Sequence, residues 1–303
     1  MIFKLNRSIN QTISLPKKYG VELLLKREDE IHPFISGNKY RKLKYNIEEA
    51  RKLNYKTLLT FGGAYSNHIA AAAFAGKEFG FKTIGIIRGD ELRDKINENP
   101  TLSFAEACGM QFKFVSRELF RTKHTKEFIE KLKEEFGDFY LLPEGGTNVL
   151  AIRGCEEILT DEDASVDYVC CAIGTGGTIS GLINSSQPDQ QVLGFPALKG
   201  SFLKEDISKF VSKQNWSLIT EYHFGGYAKI NTELIDFINQ FKQENNIQLD
   251  PVYTGKMMFG IFDLLEKGYF SKGSKILAIH TGGLQGIAGM NNILKQKKLP
   301  IIE

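Results

Sequence analysis

Apolar, β-branched runs alternate with amphipathic stretches along almost the whole chain, and this alternation constrains the fold more than any other feature. Runs at 21–26, 57–61, 83–88, 111–115, 139–142, 168–173, 191–195 and 275–280 read as strands. The periodicity between them predicts helices, for example at 124–136, 148–159, 232–245 and 257–268. Strands this apolar, separated by helices, belong to a parallel sheet covered on both faces. The chain is therefore α/β. Its 303 residues suit one large domain or two closely packed ones. No long linker, repeat or low-complexity tract divides it, so a second domain is continuous with the first.

Several function classes are disfavoured at once. A formal net charge of +3 is small for a dedicated nucleic-acid surface. The longest apolar runs, such as 69–75, fall short of the ~20 residues a membrane span needs. The N-terminal MIFKLNRSINQ lacks the apolar core and cleavage site of a signal peptide. A soluble cytoplasmic protein is expected. Cys108, Cys155, Cys170 and Cys171 form no C-x-x-C pair, and on a strand Cys170 and Cys171 would face opposite sides. They read as buried, reduced thiols. The histidines at 32, 68, 124, 223 and 280 are scattered without metal-ligand spacing, so no metal is expected.

Four glycine-rich junctions follow apolar runs and precede helical patterns: 61–67, 144–148, 174–178 and 281–284. In open parallel sheets, ligands sit beyond the carboxyl ends of the strands, where such junctions lie. Gly174-Thr175-Gly176-Gly177-Thr178 is the strongest anion-binding candidate. Its glycines let the backbone N–H groups converge, the following helix adds its positive end, and two threonine hydroxyls add donors. A tight structural turn is the competing reading. A dinucleotide fingerprint fails because Ile179 stands where G-x-G-x-x-G needs glycine.

Ser66-Asn67-His68 opens a helix, where serine and asparagine serve as caps or face a ligand. Tyr253 and Tyr227 read either as packing aromatics or as proton donors. Lys39, straight after Ser36-Gly37-Asn38, is either a solvated charge or an amine presented to something. An amine that attacks a carbonyl must lose its proton at times. Desolvation or cations such as Arg41 and Lys42 would depress its pKa. Otherwise Lys42 and Lys44 read as charges on a helix face.

A lysine on a turn, a phosphate cup and hydroxyl-lined strand ends are the parts a pyridoxal-phosphate enzyme requires. Leu24 to Asp29, Ser36 to Leu43, Ser66-Asn67-His68, Gly174 to Thr178, Tyr253 to Lys256 and His280 to Gly283 resemble, in that order, the 1-aminocyclopropane-1-carboxylate deaminase/D-cysteine desulfhydrase family. The likeness runs from about residue 15 to 290. It implies a tryptophan-synthase-β-like fold (fold type II), with two three-layer αβα domains and pyridoxal 5'-phosphate in the cleft between them. The implied division is a large domain of 1–48 plus 150–303 and a small domain of 49–149. A homodimer acting on a small amino acid is implied as well.

Carried onto matching positions, Lys39 would hold the cofactor covalently and Asn67 would bond its ring oxygen. Gly174, Thr175, Gly176, Gly177 and Thr178 would hold its phosphate, and Thr281 would lie by the pyridine nitrogen. Thr254 would also stand near the cofactor. Ser66 would meet the substrate carboxylate or assist proton transfer, with Tyr253 and Tyr227 on the substrate side. Two positions depart from the family pattern. Tyr65 replaces a glutamine, and Thr254 stands where the deaminases carry glutamate. The second departure favours a D-cysteine-desulfhydrase-like lyase, releasing a 2-oxo acid and ammonia (plus sulfide from cysteine), over ring-opening deamination. A nucleotide-dependent oxidoreductase and a non-catalytic cofactor-binding protein are the readings from other classes.

Overall fold

In the computed structural model, which describes residues 7–200 and 202–303, two sheets account for every strand. After β1 (Asn10–Ile13) and β2 (Glu22–Lys26) come α1 (Asn38–Lys52), β3 (Thr57–Gly63), α2 (Asn67–Phe79), β4 (Lys82–Arg88) and α3 (Pro100–Ala107). There follow β5 (Met110–Val115), α4 (Arg117–Arg121), α5 (Lys126–Phe136), β6 (Tyr140–Leu142), α6 (Val149–Glu156) and β7 (Tyr168–Ile173). The chain continues through α7 (Gly177–Ser185), β8 (Gln191–Pro196), α8 (Phe202–Ser208), β9 (Trp216–Leu218) and α9 (Thr232–Asn245). It closes with α10 (Thr254–Glu266), β10 (Lys275–Ile279) and α11 (Gly286–Gln296).

The smaller sheet is all parallel, in the order β5-β4-β3-β6. The larger runs β1-β2-β10-β7-β8-β9 and is parallel except for β1. Each of the eight apolar runs forms a strand. The two additional strands, β1 and β9, are short edge pieces of 4 and 3 residues without an apolar run to announce them. Helix α10 begins three residues before 257 because Asp250 caps it. One carboxylate oxygen accepts from Val252 N and Tyr253 N, the other from Thr254 N and Thr254 Oγ1.

Both sheets are covered on two faces, as their alternation requires. Ile276 and Ala278 pack towards α9, α10 and α11, while Leu277 and Ile279 pack towards α7 and α8. Cys170 and Cys171 separate in the same way, one into each layer. All four cysteines are free, and burial pushes Cys155 up to about 11 and Cys171 up to about 12, so these thiols stay protonated. In the smaller sheet Leu58 faces α1 and α2, and Leu59 and Phe61 face α5.

Helix α1 lies between the two sheets. Tyr40, Leu43, Ile47 and Ala50 enter the core of the smaller one. Its other side meets α6, where a Cβ on Gly154 would fall 2.0 Å from the Arg41 carbonyl oxygen. Only glycine allows that approach. Lys39, in the first turn of α1, is therefore held from both sides.

Candidate active site

The carboxyl ends of β3 and β6 from one sheet, and of β7 and β10 from the other, open onto a single cavity. Ser66, Asn67 and His68 come to its wall from the β3 end, Gly145 from the β6 end, Gly174 to Gly176 and Thr178 from the β7 end, and Thr281 to Gly283 from the β10 end. All four glycine-rich junctions thus contribute. Asn38, Lys39 and Lys42 reach it from α1, and Phe34 and Ser36 from the turn before α1. Tyr253 and Tyr227 close the remaining side.

The turn before Lys39 is specified by close contact. Gly37 has φ 65°, and a Cβ there would lie 2.0 Å from the Thr281 carbonyl oxygen. That same oxygen accepts Asn38 N at 3.3 Å. Glycine is obligatory on both counts. The turn consequently locks the start of α1 to the β10 end and aims Lys39 inward.

The amine is set up as a base. Burial first, and the neighbouring Lys42 second, draw Lys39 down to about 7. Its Nζ donates to Asn38 Oδ1 at 3.2 Å, and among the described residues no carboxylate pairs with it. The cation that biases it is Lys42 rather than Arg41. Arg41 is buried away from the cavity, with Nε and Nη2 on the two oxygens of Glu28 at 2.8 and 2.7 Å. Lys42 is only 2% exposed, so its expected role as a helix-face charge is corrected. Its Nζ donates to Gly145 O and Thr147 Oγ1, both at 3.1 Å, and burial lowers its pKa too. Lys44 pairs with Glu157 at the edge of the helix.

Helix α7 starts without a side-chain cap, its N-cap Gly176 in the left-handed region at φ 82°. Its first N–H groups and positive end are therefore available to an anion. Thr178 Oγ1 accepts Asn38 Nδ2 at 2.7 Å, leaving its own proton free, and Thr175 and Thr147 share a 2.6 Å bond. Gly177 stands behind this wall, where a Cβ would meet Lys42 Nζ at 3.0 Å. A buried lysine without a carboxylate beside an uncapped helix start is a fitting place for a phosphate group.

His68 brings a further polar atom to the cavity wall. Thr60 Oγ1 donates to Leu142 O at 3.0 Å, so it accepts from His68 Nε2 at 2.9 Å. The proton is on Nε2, and buried Nδ1 has no partner. Burial, with Lys39 and Lys42 adding to it, holds the ring pKa well below its ordinary value, so this imidazole is a neutral acceptor.

Ser66 Oγ caps α2 by accepting Ile69 N at 3.4 Å, and it also lines the cavity. Asn67 Oδ1 takes the amide of Gln285, whose own Oε1 accepts Thr101 Oγ1 at 3.3 Å. Tyr227 and Tyr253 meet edge to face at 6.2 Å. Burial raises both phenols, Tyr253 well above its ordinary value, so each keeps its proton at neutral pH.

One expectation is corrected. Thr254 is absent from the cavity wall, because its buried hydroxyl is spent on Asp250. Tyr65 also stands outside, with its ring against Gly289 of α11, where a Cβ would meet Cδ1 at 2.7 Å. Lys42, weighed in the sequence as a nearby cation but not placed in the cavity wall, carried a usable signal, since i and i+3 share a helix face. Asp250, just before Pro251, carried another as a turn-initiating Asp-Pro pair. Gln285 carried none.

A covalently competent amine, a phosphate cup and no side-chain carboxylate in the described cavity wall define a cofactor-dependent enzyme of the pyridoxal-phosphate class. The chain belongs to the pyridoxal-phosphate dependent enzyme family, whose model matches residues 8–282. Within it the chain groups with the 1-aminocyclopropane-1-carboxylate deaminases and D-cysteine desulfhydrases. It is 32% identical over 294 residues to a "Putative 1-aminocyclopropane-1-carboxylate deaminase" of Pyrococcus abyssi, covering 90% of this chain and 88% of that one. It is 30% identical over 297 residues to a bifunctional D-cysteine desulfhydrase/1-aminocyclopropane-1-carboxylate deaminase of Arabidopsis thaliana, covering 88% and 74%. The crystal structure of an "ACC deaminase homologue" superposes with a TM-score of 0.81 at 28% identity, covering 97% of this chain and 95% of that one. The fold is thus tryptophan-synthase-β-like and the cofactor pyridoxal phosphate. The oxidoreductase reading falls.

Proposed function

We propose that the protein is a lyase acting on a small amino acid in the manner of a D-cysteine desulfhydrase, with release of a 2-oxo acid, ammonia and, from cysteine, sulfide. The observation that carries this reading is the Lys39 amine near pKa 7, facing a hydroxyl-lined cavity without a carboxylate. Lys39 would hold the cofactor covalently. The backbone from Gly174 to Thr178, with Lys42, would hold its phosphate, Asn67 its ring oxygen, and Thr281 its pyridine nitrogen. When bound, pyridoxal phosphate supplies an electron sink for a carbanion at the substrate Cα.

The chain's own groups do the rest. Freed when the substrate amine takes its place, Lys39 Nζ, whose pKa is drawn down to about 7, takes the Cα proton. Ser66 Oγ, on the cavity wall, donates to the substrate carboxylate. Tyr253, whose phenol keeps its proton, supplies it to the departing thiolate, and Tyr227 covers that side. The enamine released after C–S cleavage takes up water, giving the 2-oxo acid and ammonia. Asp250 sits behind Gly283 with both oxygens engaged, so a neutral hydroxyl, Thr281, would be the group beside the ring nitrogen. That supports elimination over ring opening, which is the alternative that the names of several relatives suggest. A homodimer, implied by family resemblance, and a cytoplasmic location, expected from the reduced thiols, are part of the proposal.

The test is 2-oxo acid release from D-cysteine, D-serine, L-cysteine and the cyclopropane amino acid by wild type and Lys39→Ala. Fastest turnover of D-cysteine, abolished in Lys39→Ala, is expected. Preference for the cyclopropane substrate makes the protein a deaminase, and turnover surviving in Lys39→Ala removes Lys39 from the reaction.

A further inference from the structure

Tyr227 is carried by a segment, 222–228, that has no helix or strand and an unfavourable backbone. Phe224, Gly225, Gly226 and Ala228 all have positive φ, at 53°, 95°, 122° and 54°. For the two non-glycine residues this conformation is unfavourable. Local preference does not hold the segment in place, so tertiary contacts must.

Those contacts come from one stripe of α10. Tyr222 covers Gly260, where a Cβ would meet its ring at 2.7 Å, and its Oη donates to Asp263 Oδ2 at 2.6 Å. Phe224 meets Phe259 edge to face at 5.0 Å. Lys256 Nζ donates to the carbonyls of His223 at 2.9 Å and Gly226 at 2.8 Å. Residues 256, 259, 260 and 263 stand at i, i+3, i+4 and i+7, a single helical face. Helix α10 also begins directly after Tyr253. One rigid element thus carries Tyr253 at its start and holds the Tyr227 segment along its side.

Lys256 is the unusual member of the stripe. It is 2% exposed and spends its amine on carbonyls alone. The ionisable groups around it are Asp250 and His223, whose carbonyl it binds, and burial draws it down to about 8. A buried cation without a paired carboxylate is costly to keep for packing only.

We propose that Lys256 is a positioning residue: by binding the carbonyls of His223 and Gly226 it sets Tyr227 against Tyr253 over the cavity, and it acts on turnover only through Tyr227. The kinetic half rests on the substrate-side role of Tyr227 given above, whereas the tether itself does not.

The test uses holoenzyme and Lys256→Met, which keeps the stem and removes the donors. Amide exchange across 222–228 rises about tenfold or more, while other segments and the cofactor's visible band are unchanged. With the best amino-acid substrate, kcat falls about 10- to 100-fold and KM stays within about threefold. In a Tyr227→Phe background, adding Lys256→Met has no further effect on kcat. Unchanged exchange overturns the tether, and additive losses in the double variant overturn the route through Tyr227. If Lys256→Met is insoluble, Lys256→Gln, too short to span both carbonyls, carries the same measurements. Wild-type turnover in Tyr227→Phe removes the kinetic half, and the exchange result then decides the tether alone.

Discussion

Lys42 Nζ donates to the Gly145 carbonyl at 3.1 Å, one turn of α1 beyond Lys39, and so ties the lysine-bearing helix to the glycine loop after β6. The contact puts a second buried cation beside the reactive amine and beside the uncapped start of α7. It adds to the burial that lowers the Lys39 pKa and prepares the cup for an anion at the same time.

Cofactor capture by the cofactor-free protein should therefore depend on pH in a defined direction. Neutral Lys39 is the nucleophile, and its pKa is about 7. Capture, followed by absorbance in stopped flow, rises about tenfold per pH unit below that value and levels off above it. Lys42→Met raises the Lys39 pKa, so the midpoint moves to higher pH, and cofactor affinity falls about 10-fold or more. Lys44→Met leaves both unchanged.

The same shift predicts a stability difference. Lys39 titrates near 7 when folded and near 10.5 when unfolded, so the unfolded chain binds more protons between those values. The cofactor-free protein thus gains stability as pH rises from about 7 towards 10.5, and Lys39→Met removes that part of the slope. Tm measured at several pH values for the two proteins checks it.

Thr254→Val tests the corrected position of that residue. It strips Asp250 of one donor in a buried capping network, with an expected loss of about 1–3 kcal/mol in chemical unfolding. The visible band of the bound cofactor should not move. A shifted band would return Thr254 to the cofactor.

Tyr65→Gln restores the residue type expected from the family. Because the Tyr65 ring lies against Gly289 and outside the cavity, substrate KM should stay within about twofold. Gly37→Ala is the contrasting case. Its Cβ would strike the Thr281 carbonyl, at a left-handed φ, so it should cost more than about 2 kcal/mol and weaken cofactor capture.

The eight apolar runs and the four glycine junctions were legible because both are local signals. A strand buried on two faces must be apolar throughout, and a chain leaving it for a helix needs glycine where its backbone meets a ligand or another loop. Lys39 was legible as a lysine following a Gly-Asn turn. Its companions were less so. Arg41 and Lys42 are neighbours of the same charge and nearly the same burial, yet one is spent on Glu28 and the other faces the cavity. That difference arises from a helical rotation of about 100° between successive residues, and from what each face meets.

The amino-acid sequence by itself determined a parallel α/β chain with ligand-facing loops at the carboxyl ends of its strands. Periodicity and backbone permissiveness are properties of short segments, so they can be read without neighbours. Only the tertiary structure decided that Lys42, not Arg41, polarises the amine, that Thr254 serves Asp250, that Tyr65 leans on α11, and that Lys256 holds the Tyr227 segment. Each of these depends on desolvation and on hydrogen-bond partners that are mostly distant in the chain, and those are set when separate segments meet.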